Sequence, residues 1–96
     1  MSVATPDVVE DLSTDTMPSP TTAWLVILWN DDVNTFPYVI RTLQMVLEEP
    51  EEQCEEYAWK AHREGRTPIY RGDKQKALNI AAQLGSAMLQ VTLERE

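Results

Sequence analysis

Three side chains in this sequence have the chemistry to hold a small cation. Asn30 and Asp31 stand where the apolar run Trp24–Trp29 gives way to polar residues, and His62 lies in a later segment. They supply an amide, a carboxylate and an imidazole. All three accept hydrogen bonds, and none is a serine- or cysteine-type nucleophile. A free α-amino group suits such a set. Its ordinary pKa of ~7.7–8.0 keeps it largely an ammonium at neutral pH, with three N–H donors to satisfy.

The same residues carry plainer readings. Asn30-Asp31-Asp32 between two elements is also turn and cap chemistry, and His62 near a helix end also complements the helix dipole. Asp31 and His62 give a metal two ligands and no third. Hydrolysis would need a positioned nucleophile, but there is no G-x-S-x-G, and Cys54 lies two helical turns from His62. Asp31 and Asp32 are adjacent, so in an extended segment they point apart and do not share a proton.

The flanking elements are legible from pattern. Trp24–Trp29 is a short apolar run with β-branched and aromatic residues, which predicts a strand buried on both faces. Asn34 or Thr35 can cap a helix whose first turn tolerates Pro37. That helix presents Phe36, Ile40, Leu43 and Leu47, with Val39 and Val46 beside them. Pro50 opens a second helix, with Glu51 and Glu52 at its positive end and Cys54, Tyr57, Ala58 and Ala61 inward; Gly65 stops it. Thr67–Tyr70 reads as a weak strand broken by Gly72. A third helix runs from Asp73 to Leu84 with Gly85 at its end. In "AMLQVTLE", Leu89, Val91 and Leu93 alternate with polar neighbours, as in a strand with one face on a core. The order predicts an α/β fold: a small three-stranded antiparallel sheet packed on three helices, β-α-α-β-α-β. Residues 1–22, rich in Ser, Thr, Pro and Asp, read as a disordered extension, and 23–96 as the folded domain.

Length and charge set limits. Ninety-six residues allow one domain with a modest core. The net charge of −8, from 16 acidic and 8 basic residues, argues against nucleic acid and anionic membranes and favours basic-patched partners. The acidic run Glu48–Glu56 is most simply a solvated helix start, the alternative being a docking site for a basic partner. One cysteine and one histidine exclude an internal disulfide and a structural zinc cluster, and fit a reducing compartment. No stretch approaches the ~18 apolar residues of a membrane span, and the acidic N-terminus lacks the pattern of an export signal.

The stretches "WLVILWNDDVNTFPYVI", "AHREGR" and "LQVTLERE" resemble the ClpS family of N-degron adaptors, over about residues 24–96. In that family a strand ends in N-D-D, a histidine and a glycine close the second helix, and a "TLE" strand closes the chain. The resemblance implies a non-enzymatic, cofactor-free protein of the bacterial cytoplasm or the plastid stroma. Such a protein binds the free α-amino group and bulky first side chain (Phe, Tyr, Trp or Leu) of a substrate. It delivers the substrate to the N-terminal domain of a ClpA- or ClpC-like AAA+ unfoldase joined to ClpP. Carried over by position, Asn30, Asp31 and His62 resemble the α-amino ligands. Asp32 and Asn34 fall in the loop that holds the peptide backbone. Phe36, Val39, Ala58, Ala61 and Leu89 fall at the side-chain pocket, and Lys76 at the unfoldase-docking position. This chain has Asn34-Thr35-Phe36 where the family usually has Thr-Pro-Met, and alanines at 58 and 61 where Met and Val are frequent. The alternative is a ClpS-like regulator that occupies the unfoldase N-domain without binding degrons.

Overall fold

A computed structural model describes residues 22–96. The extension read over 1–22 therefore lies, but for Thr22, outside the described residues. Six elements follow in the expected order: β1 (Trp24–Trp29), α1 (Phe36–Leu47), α2 (Glu51–Glu64), β2 (Arg66–Gly72), α3 (Lys74–Ser86) and β3 (Val91–Arg95). The most apolar strand takes the centre of an antiparallel sheet ordered β2-β1-β3, and Val26, Ile27 and Leu28 are all buried. Successive residues of a strand point to opposite faces, so burial of all three means that both faces of β1 are covered there, as its unbroken apolar run suggests.

The helices form two tiers. The α2 helix packs on β1 and β2, α3 packs on β1 and β3, and α1 lies across α2 and α3. Val26 and Leu28 meet Val39 and Leu43 of α1, Cys54, Ala58 and Ala61 of α2, and Ala77, Ile80 and Leu84 of α3 in one cluster. The small residues of α2 allow its close approach to the sheet.

Local signals explain the boundaries. The Thr35 side chain accepts from the Tyr38 N–H and caps α1, and Asp73 caps α3 through the Lys76 N–H. The β2 strand is longer than the weak strand expected. Its register with β1 shifts between Val26, opposite Tyr70, and Ile27, opposite Pro68, so Ile69 is the extra residue of a bulge and is buried. Pro68, which has no N–H to give, is tolerated because β2 is an edge strand. The α3 helix runs past the expected stop at Gly85, and the positive φ after it falls on Met88, at 72°.

The two helix glycines therefore differ in kind. Gly65 has φ 91° after α2, whereas Gly85 lies inside α3, and a Cβ added at either would meet nothing within 4 Å. Gly65→Ala should lower unfolding stability by about 1–3 kcal/mol through backbone strain alone. Gly85→Ala should raise it by up to about 0.5–1 kcal/mol, because a glycine within a helix, here in its last turn, carries excess unfolded-state entropy. Urea denaturation of both variants checks the contrast; effects of the same sign would contradict it.

Candidate functional site

The end of β1 is held from two sides. The Trp29 N–H donates to the Gln90 carbonyl and the Asn30 N–H to the Gly65 carbonyl, each at 2.9 Å. The second bond ties Asn30 to the turn that closes α2, three residues beyond His62. The Asn30 amide then splits its duties: Nδ2 donates to Asp32 Oδ1 at 3.2 Å, and Oδ1 lies 3.4 Å from His62 Nδ1. Because Asp32 takes the N–H side, the oxygen faces the imidazole. A ring proton on Nδ1 would complete this contact.

Asp31 organises the loop after the strand. Its Oδ1 accepts from the Val33 N–H at 2.8 Å and the Asn34 N–H at 2.9 Å, while Oδ2 accepts from Asn34 Nδ2 at 2.7 Å. This is an Asx turn, as the polar cluster suggested. Burial by itself would raise the Asp31 pKa, but the donors from Asn34 and Val33 outweigh it and hold the carboxyl below its ordinary value. Asn34 also donates to the Met88 carbonyl at 3.0 Å, so the loop is fastened to the segment that enters β3. A carboxylate offers about four acceptor positions and three are used here, which leaves one on an ionised group beside the Asn30 amide.

These polar groups rim an apolar hollow. Asn30, Asp31 and Asn34 stand at its edge, and Leu28, Trp29, Phe36, Val39, Ala58 and Ala61 form its walls. The cavity is small, ≈ 10 Å³, or room for about one water. Four of the five residues expected at a side-chain pocket line it. Leu89 does not; it is buried in the core cluster. His62 stands outside the hollow, exposed, with its ring centroid 5.6 Å from that of Phe36. Asp32 is exposed and acts on Asn30 rather than on the hollow. Lys76 lies elsewhere, in a surface recess with Val46, Leu47, Glu48, Glu49, Tyr70 and Ile80, its Nζ 5.9 Å from the Tyr70 ring centroid. Leu28 and Trp29 are wall residues that the sequence reading did not single out. Strand alternation was the available signal for Leu28, two residues before Asn30 and on the same face.

Nucleophilic chemistry finds no support at Cys54. The residue is fully buried, its sulfur 3.8 Å from the Glu49 carbonyl, and burial followed by the Glu49 charge pushes the thiol pKa up. Among the described residues, no three His, Cys, Asp or Glu side chains are grouped to hold a metal, and no helix is long and apolar enough to cross a membrane.

The family model described as "ATP-dependent Clp protease adaptor protein ClpS" matches residues 19–92. The chain belongs to the ClpS family. The ATP-dependent Clp protease adapter protein ClpS of Corynebacterium glutamicum (strain R) is 33% identical over 93 residues, covering 97% of this chain and 91% of that protein. The ClpS of Corynebacterium diphtheriae is 28% identical over 94 residues, covering 98% and 83%. Among solved structures, Agrobacterium tumefaciens ClpS2 bound to L-phenylalaninamide superposes with a TM-score of 0.70 at 26% identity, over 78% of this chain and 98% of that one. As a ClpS protein the chain is an adaptor of a Clp protease and not an enzyme, and its three-stranded antiparallel sheet and three helices are the ClpS fold.

The Asp31 turn has a pH signature. A carboxyl whose folded pKa lies below its unfolded value of ~3.9 adds stability that is complete above that value and is lost as pH falls through the folded pKa. Asp31→Asn should therefore be less stable than the wild type at pH 7, and the gap should close below about pH 4. Urea denaturation at pH 7, 5 and 3 measures it, and a gap that stays constant to pH 3 would contradict the charge-dependent turn.

Proposed function

We propose that the protein is an N-degron adaptor: it binds the free α-amino group and the bulky apolar first side chain of a substrate and delivers that substrate to a Clp-type AAA+ unfoldase. The observation that carries this reading is that Asn30, Asp31 and Asn34 line an apolar hollow, with the His62 imidazole 3.4 Å from Asn30 Oδ1 just outside it. An incoming ammonium has three N–H groups. The second lone pair of Asn30 Oδ1, the His62 imidazole and the remaining acceptor of Asp31 would supply three partners, and the Asp31 charge makes one bond charge-assisted. Asp32 orients the Asn30 amide, and Asn34 keeps Asp31 in place while leaving its own carbonyl oxygen for the peptide backbone. The first side chain then enters between Phe36, Val39, Ala58 and Ala61. L-phenylalaninamide, the ligand of the similar ClpS2, carries this pair of groups, an α-amine beside an apolar ring.

Lys76 would serve the unfoldase N-domain. Its recess shares no residue with the hollow, so substrate and unfoldase would not compete for side chains. One observation favours a second reading, a regulator that occupies the unfoldase N-domain without taking degrons: the hollow is almost filled.

Peptides separate the two. Those beginning with Phe, Tyr, Trp or Leu should bind, and the same peptides beginning with Ser, Glu or Lys should bind about 10- to 150-fold more weakly, the equivalent of burying a large apolar side chain. N-terminal acetylation should abolish binding. Equal anisotropy titrations for Phe-first and Ser-first peptides would sink the adaptor reading and leave the regulator.

The two carboxylates should also divide. Asp31→Ala removes the charge facing the amine and the turn itself, and should lower affinity by more than tenfold. Asp32→Ala only frees the Asn30 amide, and should lower it a few-fold. Calorimetry with one Phe-first peptide decides, and equal losses would mean that the wrong carboxylate has been placed toward the ligand.

A further inference from the structure

A hollow with room for one water must widen before it accepts a large side chain, and its walls are not equally free to move. Leu28, Val39, Ala58 and Ala61 are buried, at 5% exposure or less, within the core cluster. Trp29 is pinned, its Nε1–H donating to Thr92 Oγ1 at 2.8 Å and the Arg66 guanidinium lying 4.9 Å from its ring centroid. Phe36 remains. It is the first residue of α1 and partly exposed, and its ring is backed by other rings rather than by core. Trp59 meets it edge-to-face, with centroids 4.7 Å apart and planes at 77°. His62 meets both, at 5.6 Å and 81° to Phe36 and at 5.9 Å and 83° to Trp59. Trp59 does not line the hollow and is 48% exposed, so its packing against Phe36 is what it has to contribute here.

We infer that Trp59 is a positioning residue that sets the size of the first side chain admitted, by holding the Phe36 ring against the hollow. The inference rests on the N-degron reading. A ligand side chain that displaces Phe36 must loosen the Phe36–Trp59 contact, and the loss grows with the size of the entering group. The discrimination acts through Phe36, because it is Phe36 that borders the space.

The test compares two dye-labelled peptides that differ only in beginning with Trp or with Leu, titrated by anisotropy. Trp59→Ala should shift the ratio of their affinities about 2- to 10-fold toward the Trp-first peptide, which is the ~0.5–1.5 kcal/mol of an edge-to-face pair at 1.4 kcal/mol per tenfold. Trp59→Phe should restore the wild-type ratio. Trp59→Leu, which keeps apolar bulk without a ring, should resemble Trp59→Ala and stands in if the alanine variant does not fold. In a Phe36→Leu background, Trp59→Ala should leave the ratio unchanged. A common weakening of both peptides with an unchanged ratio would reduce Trp59 to packing and overturn the inference while the degron reading stands. A wild type that binds neither peptide would overturn the degron reading and this inference with it.

Discussion

The hydrogen bond from the Asn30 N–H to the Gly65 carbonyl is the joint on which the site depends. It closes β1 onto the turn after α2, and that turn exists because Gly65 takes a φ that side-chain-bearing residues avoid. Through it, residues remote in sequence share a few ångströms: the Asn30 amide on the strand and the His62 imidazole in the last turn of the helix. The second clamp, from the Trp29 N–H to the Gln90 carbonyl, fixes the other side of the same strand end. Held by both, the strand end is a rigid place from which to present acceptors.

In the adaptor reading, Asp31 makes a turn and a binding site one object. The turn reading and the ligand reading of Asn30-Asp31-Asp32 began as rivals, yet the donors that make the turn also keep Asp31 ionised and aimed. A loop whose carboxylate has fixed partners loses little further freedom when a ligand arrives, which is the main advantage of preorganisation. Asp32 and Asn34 act one step further out, each spending an interaction on the group that faces the hollow.

The sequence was most readable where one residue type has one physical use. The apolar run of β1, Thr35 before Pro37, Pro50 ahead of two glutamates and Gly65 after Arg63 each announced a boundary, and each lies where the structure has one. Gly85 misled because the tertiary structure assigns the left-handed turn to Met88. The Met88 carbonyl is held by Asn34 and the Ala87 carbonyl by the Tyr38 hydroxyl at 2.7 Å, contacts that let a residue with a side chain take a positive φ. The bulge at Ile69 and the full length of β2 were likewise hidden, since an edge strand takes its register from its neighbour. In the site, spacing alone brought Asn30, Asp31 and His62 into view as acceptors. The walls from Phe36 to Ala61 came from resemblance, because an apolar residue on a helix face carries no mark of whether it meets core or ligand. Leu89, expected at the same pocket by resemblance, is buried in the core cluster and does not line the hollow.

In the adaptor reading, the two halves of the site answer different questions. Every free protein N-terminus offers the same ammonium, so Asn30, Asp31 and His62 can separate an N-terminus from an internal residue but cannot tell one N-terminus from another. That second distinction belongs to the hollow, and an apolar hollow discriminates by size and solvation. In that reading its capacity is set less by the alanines at 58 and 61, which only vacate space, than by the ring of Phe36 that borders it from the partly exposed side. A wall built from buried core residues would fix the pocket at the moment of folding. A wall resting on exposed aromatic neighbours can be retuned by surface substitutions that leave the core alone, so the specificity of this adaptor can change without endangering its fold.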